Sequence, residues 1–181
     1  MGPQPWVRAV RREHASNPLW WDQSSSSQPS CPSHDSRFKA DVNTFPILYF
    51  AWDKNTALLE TRAIKGRPDS SMTSASGWRT FRIDVRLDRV ADLRGPAERL
   101  KVETTVQELT GDWRGYGYRT PASPISSVPP APTQRLGAAL YANTSCQGFL
   151  TPSAKNPSYP NLVVFPDRVA VDVGSLKIEP E

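Results

Sequence analysis

Proline constrains this chain more than any other residue type, making up 18 of its 181 residues, about twice the usual share of roughly 5%. Each proline fixes φ, removes a backbone donor and disfavours helix at the residue before it. The prolines gather between apolar segments, most densely at Pro121, Pro124, Pro129, Pro130 and Pro132. Such punctuation predicts many short strands and turns and excludes an all-helical fold.

The length suits one compact domain, expected over residues 1–181 with its core at about 6–170. Hydrophobic residues at 38% and charged residues at 22% are the values of a folded chain rather than a disordered one. The net charge of +4 comes from 22 scattered basic residues that form no stripe. That is the pattern of a mildly basic solvated surface, and it suits the phosphates of a small ligand better than a nucleic acid. Cys31 and Cys146 are far apart and belong to no C-x-x-C pair, so both are read as free thiols and no metal site is expected. Residues 1–10 lack the apolar core of a signal peptide, and no stretch approaches a membrane span, so the expected compartment is the cytoplasm, with no membrane partner.

Along the chain, Trp6 to Val10 alternates like an edge strand, and residues 22–36 form a Ser/Pro-rich loop. Phe45 to Ala51 reads as a buried strand. Asp53 or Asn55 then caps a helix running through Ile64, with Ala57, Leu58 and Ile64 on one side and Gly66 and Pro68 as its stop. Trp78 to Leu87 alternates cleanly, with Phe81, Ile83, Val85 and Leu87 on one face, and predicts a half-exposed strand. Leu109 to Pro132 reads as a long irregular connection of the kind that forms lids. Thr133 is expected to cap a second helix carrying Leu136, Ala139 and Leu140, and Gly148–Leu150, Leu162–Phe165 and Val169–Val173 supply three short strands. The order predicts an α+β fold, a small mixed or antiparallel β core with a few helices, without the alternation of a doubly wound sheet.

No Gly-rich phosphate loop, G-x-S-x-G or H-E-x-x-H occurs, and the only histidines, His14 and His34, sit in the polar N-terminal part. What remains is a constellation: Arg37 in Ser36-Arg37-Phe38, Tyr49 in the apolar strand, Glu60 in the helix after it, and Ser153 in Gly148-Phe149-Leu150-Thr151-Pro152-Ser153-Ala154. Ile47-Leu48-Tyr49-Phe50-Ala51 followed by Thr56-Ala57-Leu58-Leu59-Glu60 resembles the Tyr-ending strand and T-A-L-x-E helix of the RES domain family. The segment from Gly148 to Ala154, followed by Asn161-Leu162-Val163-Val164-Phe165-Pro166, is similar to that family's C-terminal motif. The two motifs stand in the family's order, and the resemblance spans roughly Trp6 to Arg168.

The resemblance implies a fold related to ADP-ribosyltransferases and the role of toxin in a toxin–antitoxin pair, degrading NAD+ or transferring its ADP-ribose to a protein. Arg37, Tyr49, Glu60 and Ser153 match the family's site residues, and Arg8 matches an early Arg of its pattern, which places Arg8, Arg37 and Tyr49 against the NAD+. Ser36 and Lys39 stand where the family usually has Gly and Asn. The implied protein partner is an Xre-type helical antitoxin, through which alone nucleic acid would be contacted.

The residue types suit this chemistry on their own terms. Cleaving a nicotinamide–ribose bond builds oxocarbenium character that a carboxylate such as Glu60 stabilises. Forked donors of Arg37 and Arg8 suit a pyrophosphate, Tyr49 offers a stacking face, and Ser153 offers one hydrogen bond. NAD+ phosphorolysis, hydrolysis and protein ADP-ribosylation all pass through the same cation, so phosphate, water and a protein side chain are open as acceptors. The plainer readings are a solvated Arg37 and Glu60, a core Tyr49 and a Ser153 that only opens a turn. A non-enzymatic alternative has Trp113, Tyr116 and Tyr118 stacking bases beside Arg114 and Arg119.

Overall fold

Side chains alternate across a strand, and here both faces of one sheet are covered, so successive residues feed two separate cores. The computed structural model describes residues 5–19, 36–40, 45–64, 77–116, 129–169 and 175–179. Its strands are β1 (Pro5–Arg11), β2 (Leu48–Ala51), β3 (Trp78–Arg86), β4 (Val90–Asp92), β5 (Gly148–Pro152), β6 (Pro160–Val164) and β7 (Ser175–Ile178). They form one 7-stranded mixed sheet in the order β4-β5-β6-β2-β1-β3-β7, with β4–β5 parallel and the other pairings antiparallel. The helices among the described residues are α1 (Lys54–Ile64), α2 (Pro96–Lys101), α3 (Val106–Thr110), α4 (Pro132–Asn143) and α5 (Pro166–Val169), with a 3-10 turn at Arg12–His14. The fold is α+β, as the order of sequence patterns predicts.

On one face Leu48, Phe50, Leu150, Leu162 and Val164 pack with Trp6, Ile83, Val85 and Val169. On the other, Phe149, Val163 and Phe165 pack with Phe38, Phe45, Leu109 of α3 and Leu140 of α4. Full burial of each such Phe or Leu side chain contributes about 1.5–3 kcal/mol. The second face changes character toward the middle of the sheet, where Val7, Ala9 and Ala51 meet Ala57 of α1 in a small separate cluster. Small side chains there let α1 lie close to the strands and leave a trough between α1 and the α3 side.

β1 is an interior strand and not the edge that Trp6–Val10 suggests, because it pairs with β3 from Pro5↔Asp84 to Arg11↔Trp78 and with β2 at Val7↔Ala51. Neither partner is near in sequence, so a local pattern carries no trace of them. The β1–β2 join has that single register pair, and beside it Arg8 Nη1 donates to the Tyr49 carbonyl at 3.1 Å while Arg8 Nε donates to the Pro18 carbonyl at 2.7 Å.

Asp53 caps α1 through Oδ1, which accepts from the Thr56 N–H at 2.7 Å. Ala57 is buried and Leu58 half-buried, as expected, and the stop at Gly66 and Pro68 lies outside the described residues. Phe45–Ile47 is buried but precedes the strand proper. Thr133 does not cap the second helix. Pro132 occupies its first turn, and the cap is made by Gln134, whose Oε1 accepts from the Ala131 N–H at 2.9 Å. Ala139 is exposed, and Gly137 replaces it on the buried face. The expected irregular stretch from Leu109 begins inside α3, whose Thr105–Glu108 capping box has the Glu108 N–H on Thr105 Oγ1 at 3.2 Å and the Thr105 N–H on Glu108 Oε2 at 3.1 Å. Residues 117–128 of that stretch, and most of the expected loop at 22–36, lie outside the described residues. In place of a strand at Val169–Val173, Val169 ends α5, residues 170–174 lie outside the described residues, and the last strand is β7. Cys146 is a buried free thiol, and Cys31 lies outside the described residues.

Helix α4 rests directly on the Ser36–Lys39 turn, and a Cβ on Gly137 would lie 2.0 Å from the Phe38 carbonyl oxygen. Backbone cannot retreat as a flexible side chain can. Gly137→Ala is therefore expected to destabilise the fold by about 1–3 kcal/mol, read as a lower denaturant midpoint with an unchanged slope.

Candidate active site

The trough is a cleft of about 430 Å³ walled by α1, the Ser36–Phe38 turn, the Thr110–Arg114 segment and the ends of β5 and β6, with Val7, Ala9 and Ala51 on its floor. Its size is that of a small-molecule site. Arg8, Arg37, Tyr49 and Glu60 line it, and Ser153 does not.

Glu60 follows Thr56 by one helical turn, so both face the β5–β6 end of the sheet. Glu60 Oε1 accepts from Ser153 Oγ at 2.5 Å, from the Ala154 N–H at 2.9 Å and from Asn161 Nδ2 at 2.9 Å. One turn earlier, Thr56 Oγ1 accepts from Asn156 Nδ2 at 3.0 Å. All the side-chain hydrogen bonds that Glu60 makes with described residues fall on Oε1, so Oε2 carries no such donor in a residue that lines the cleft.

Ser153 is fully buried. Its Oγ accepts from the Lys155 N–H at 3.2 Å and the Asn156 N–H at 3.0 Å, which directs its own proton to Glu60. Ser153 thus joins the constellation through Glu60 and not by facing the cleft.

Arg37 sits at the tip of a tight turn closed by the Ser36 N–H to Lys39 carbonyl bond at 2.8 Å and the Lys39 N–H to Ser36 carbonyl bond at 3.3 Å. Gln134 Nε2 braces the turn from α4, donating to the Ser36 carbonyl at 3.1 Å. Phe38 plunges into the core while Arg37 Nη1 donates to the carbonyls of Leu109 at 3.1 Å and Gly111 at 2.7 Å, capping the C-terminal end of α3. Both bonds use Nη1, so Nε and Nη2 have no hydrogen-bond partner among the described residues. Burial lowers the Arg37 pKa from its ordinary value, opposed by the negative charge of Glu60 and by Tyr49 and Asp112. Arginine stays protonated even so.

Tyr49 is placed as a brace for this turn. Its hydroxyl accepts from the Phe38 N–H at 3.2 Å and bonds Ser36 Oγ at 2.7 Å, and its ring stacks on Phe38 with centroids 6.4 Å apart. Ser36 thereby supplies a bond that a glycine at this position could not. Arg8, besides holding the β1–β2 join, stands over the Phe50 ring with its guanidinium carbon 5.8 Å from the centroid.

Sequence reasoning did not single out Asn161, the Ala154 N–H or Lys155 as site groups. Asn161 stood in the second motif as the polar residue opening its apolar run but was given no role, and its place beside Glu60 depends on the register that sets it next to Thr151 of β5 and Ala51 of β2. Of the aromatic and basic cluster after α3, Trp113 and Arg114 line the cleft, with the Arg114 guanidinium carbon over one face of the Trp113 ring at 4.9 Å from its centroid. Tyr118 and Arg119 lie outside the described residues. Among the described residues no group of three His, Cys, Asp or Glu side chains is placed to hold a metal ion, and no helix is long and apolar enough to cross a membrane.

Desolvation, only partly offset by the bonds from Ser36 and Phe38, pushes the Tyr49 hydroxyl up to about 12 from 10.0. A folded-state pKa above the unfolded one means stability fully present below pH 10.0 and lost as pH rises toward about 12. The denaturant midpoint of the wild type is expected to fall over that interval, and Tyr49→Phe to be less stable at neutral pH yet to show a shallower fall. Equal alkaline slopes for the two proteins would count against this placement of the hydroxyl.

Residues 5–179 match the model of the RES domain. A comparison with curated proteins gives no match. Among solved structures, the chain is similar to one in the crystal structure of the M. tuberculosis MbcT–MbcA toxin–antitoxin complex, with a TM-score of 0.65 and 21% identity over 98% of this chain and 82% of that one. At that identity the likeness speaks for the fold. The family model spans nearly the whole chain and includes both motifs and every residue of the cleft, and on that ground the chain belongs to the RES domain family.

Proposed function

We propose that this chain binds NAD+ in the cleft and breaks its nicotinamide–ribose bond, passing the ADP-ribose to phosphate or water as the toxin of a toxin–antitoxin pair. The observation that carries the reading is the Glu60 carboxylate, bound to protein through Oε1 alone, in a cleft that also holds Arg37 with Nε and Nη2 unpartnered among the described residues. Membership of the RES domain family and likeness to a solved toxin–antitoxin complex support it.

In this mechanism the C1″–N bond breaks and its electron pair leaves with the pyridinium nitrogen, giving neutral nicotinamide. Positive charge spreads over C1″ and the ring oxygen of the ribose. Glu60 Oε2 accepts from a ribose hydroxyl and opposes that charge with its own, inside a cleft where water screens it poorly. The free nitrogens of Arg37 form a fork that suits the pyrophosphate oxygens. A lone pair on the acceptor oxygen then closes on C1″ and the acceptor loses a proton, giving ADP-ribose-1″-phosphate from phosphate or ADP-ribose from water. Tyr49 and Ser153 act indirectly, one bracing the Arg37 turn and the other orienting Glu60.

The protein works in the cytoplasm as a single domain, under the control of an Xre-type antitoxin that covers the cleft. Co-expression with the protein encoded beside it is expected to yield a stable complex in which nicotinamide release is suppressed, and failure to co-purify would remove the antitoxin from the proposal.

Time-resolved NMR of the purified protein with NAD+ in phosphate buffer tests the reaction. Wild type is expected to release nicotinamide, and a folded Glu60→Gln to do so roughly a hundredfold or more slowly, the scale of losing one charge-stabilising group. The second product separates phosphorolysis from hydrolysis, and labelled NAD+ in lysate reports transfer to protein. Equal inertness of wild type and variant would overturn the reading.

A further inference from the structure

We infer that Asn161 is a positioning residue for the reaction, which turns the Glu60 carboxylate so that Oε2 and not Oε1 meets the ligand. This rests on the reading of the cleft as an NAD+-cleaving site. Glu60 reaches the cleft from a helix, and a glutamate carboxyl rotates about its last bond with little preference of its own. Orientation must come from fixed donors. Ser153 Oγ and the Ala154 N–H approach Oε1 from the end of β5, and Asn161 Nδ2 approaches it from β6 at 2.9 Å. Ala154 and Asn161 both line the cleft, and of these two Asn161 is the one that donates from a side chain, next to Ala51 and Thr151 in register.

The other end of the same amide does not account for the residue. Asn161 Oδ1 is buried and has no hydrogen-bond partner among the described residues. A buried acceptor without a donor destabilises the fold, so a residue kept only for packing would be better replaced by an apolar one of similar size. The amide is explained by what Nδ2 does to Glu60.

An aspartate at this position gives a readout that packing cannot imitate. Asn161→Asp puts a second carboxyl within hydrogen-bond distance of Glu60 Oε1. Two such groups share one proton, which is held to a pH well above the usual carboxylate range. While it is held, the carboxyl O–H donates to Oε1 much as the amide does. Once it is lost, the two charges repel and the orientation fails. The other charged or titratable groups around the cleft, Arg8, Arg37, Tyr49, Asp112, Arg114 and Lys155, are unchanged in the variant.

Nicotinamide release is measured against pH for wild type, Glu60→Gln, Asn161→Ala and Asn161→Asp, with thermal unfolding of each. Asn161→Ala is expected to remain folded, with its own unfolding temperature recorded, and to lose about ten- to a hundredfold in kcat, the worth of one hydrogen bond to a charged group, with little change in KM. Asn161→Asp is expected to approach wild-type kcat at acidic pH and to fall away as pH rises, along a limb that wild type lacks. An Asn161→Ala with wild-type kcat, or an Asn161→Asp whose profile runs parallel to wild type, would overturn the inference while leaving NAD+ cleavage standing. An inert wild type would instead refute the cleavage reading and take this inference with it.

Discussion

A carboxylate drawn into a half-buried cleft loses part of its hydration, and the loss is tolerable only where fixed donors replace the missing water. Glu60 receives three of them on one oxygen, from the Ser153 hydroxyl, the Ala154 amide and the Asn161 side chain. Much of the local architecture exists to bring them together. The Ser153 hydroxyl is aimed by the N–H groups of Lys155 and Asn156, and Asn156 reaches back to Thr56 one helical turn before Glu60. The helix is thereby held against the ends of two strands at two successive turns of one face, with Ala57 between them packed on the sheet.

The opposite wall follows the same economy with the sign reversed. Arg37 spends one nitrogen on the carbonyls that end α3 and keeps the rest of its fork toward the cleft. The turn that carries it is held from three directions, by Phe38 in the core, by the Tyr49 hydroxyl from β2 and by Gln134 from α4. Between the walls Val7, Ala9 and Ala51 are among the sheet residues of the floor, and their small volumes leave space for the charged groups. A cation and an anion, each half committed to protein and half available, thus line one cleft.

Much of this was legible in the sequence because it is local. Asp53 before an apolar helix, the alternation of Phe81, Ile83 and Val85, and the strand-to-helix run that ends on Glu60 all write their structure within a dozen residues. Arg37, Tyr49 and Glu60 were singled out from the sequence and line one cleft, although the bracing position of Tyr49 and the inward turn of Ser153 depend on contacts with Phe38 and Glu60 that no spacing encodes. Asn161 was quoted within the second motif but not counted among the site residues, because a polar residue at the start of Leu162-Val163-Val164 looks like an ordinary strand boundary. Its contact with Glu60 appears only when β6 is set in register with β5 and β2. The edge reading of Trp6–Val10 failed for the same reason. The capping box at Thr105 and Glu108 was a local signal that went unread behind the glycines and prolines that follow it.

The join between β1 and β2 has a consequence of a different kind. Elsewhere in the sheet neighbouring strands are laced by main-chain bonds, which survive almost any exchange of side chains. Here the ladder shrinks to Val7 and Ala51, and the contact is completed by the guanidinium of Arg8 on the Tyr49 carbonyl and by the methyl of Ala57 lying across the gap. Mutational tolerance should therefore be uneven across the sheet. The seam beneath the cleft is the place where the backbone's usual indifference to sequence gives out and the continuity of the sheet is entrusted to a few individual side chains.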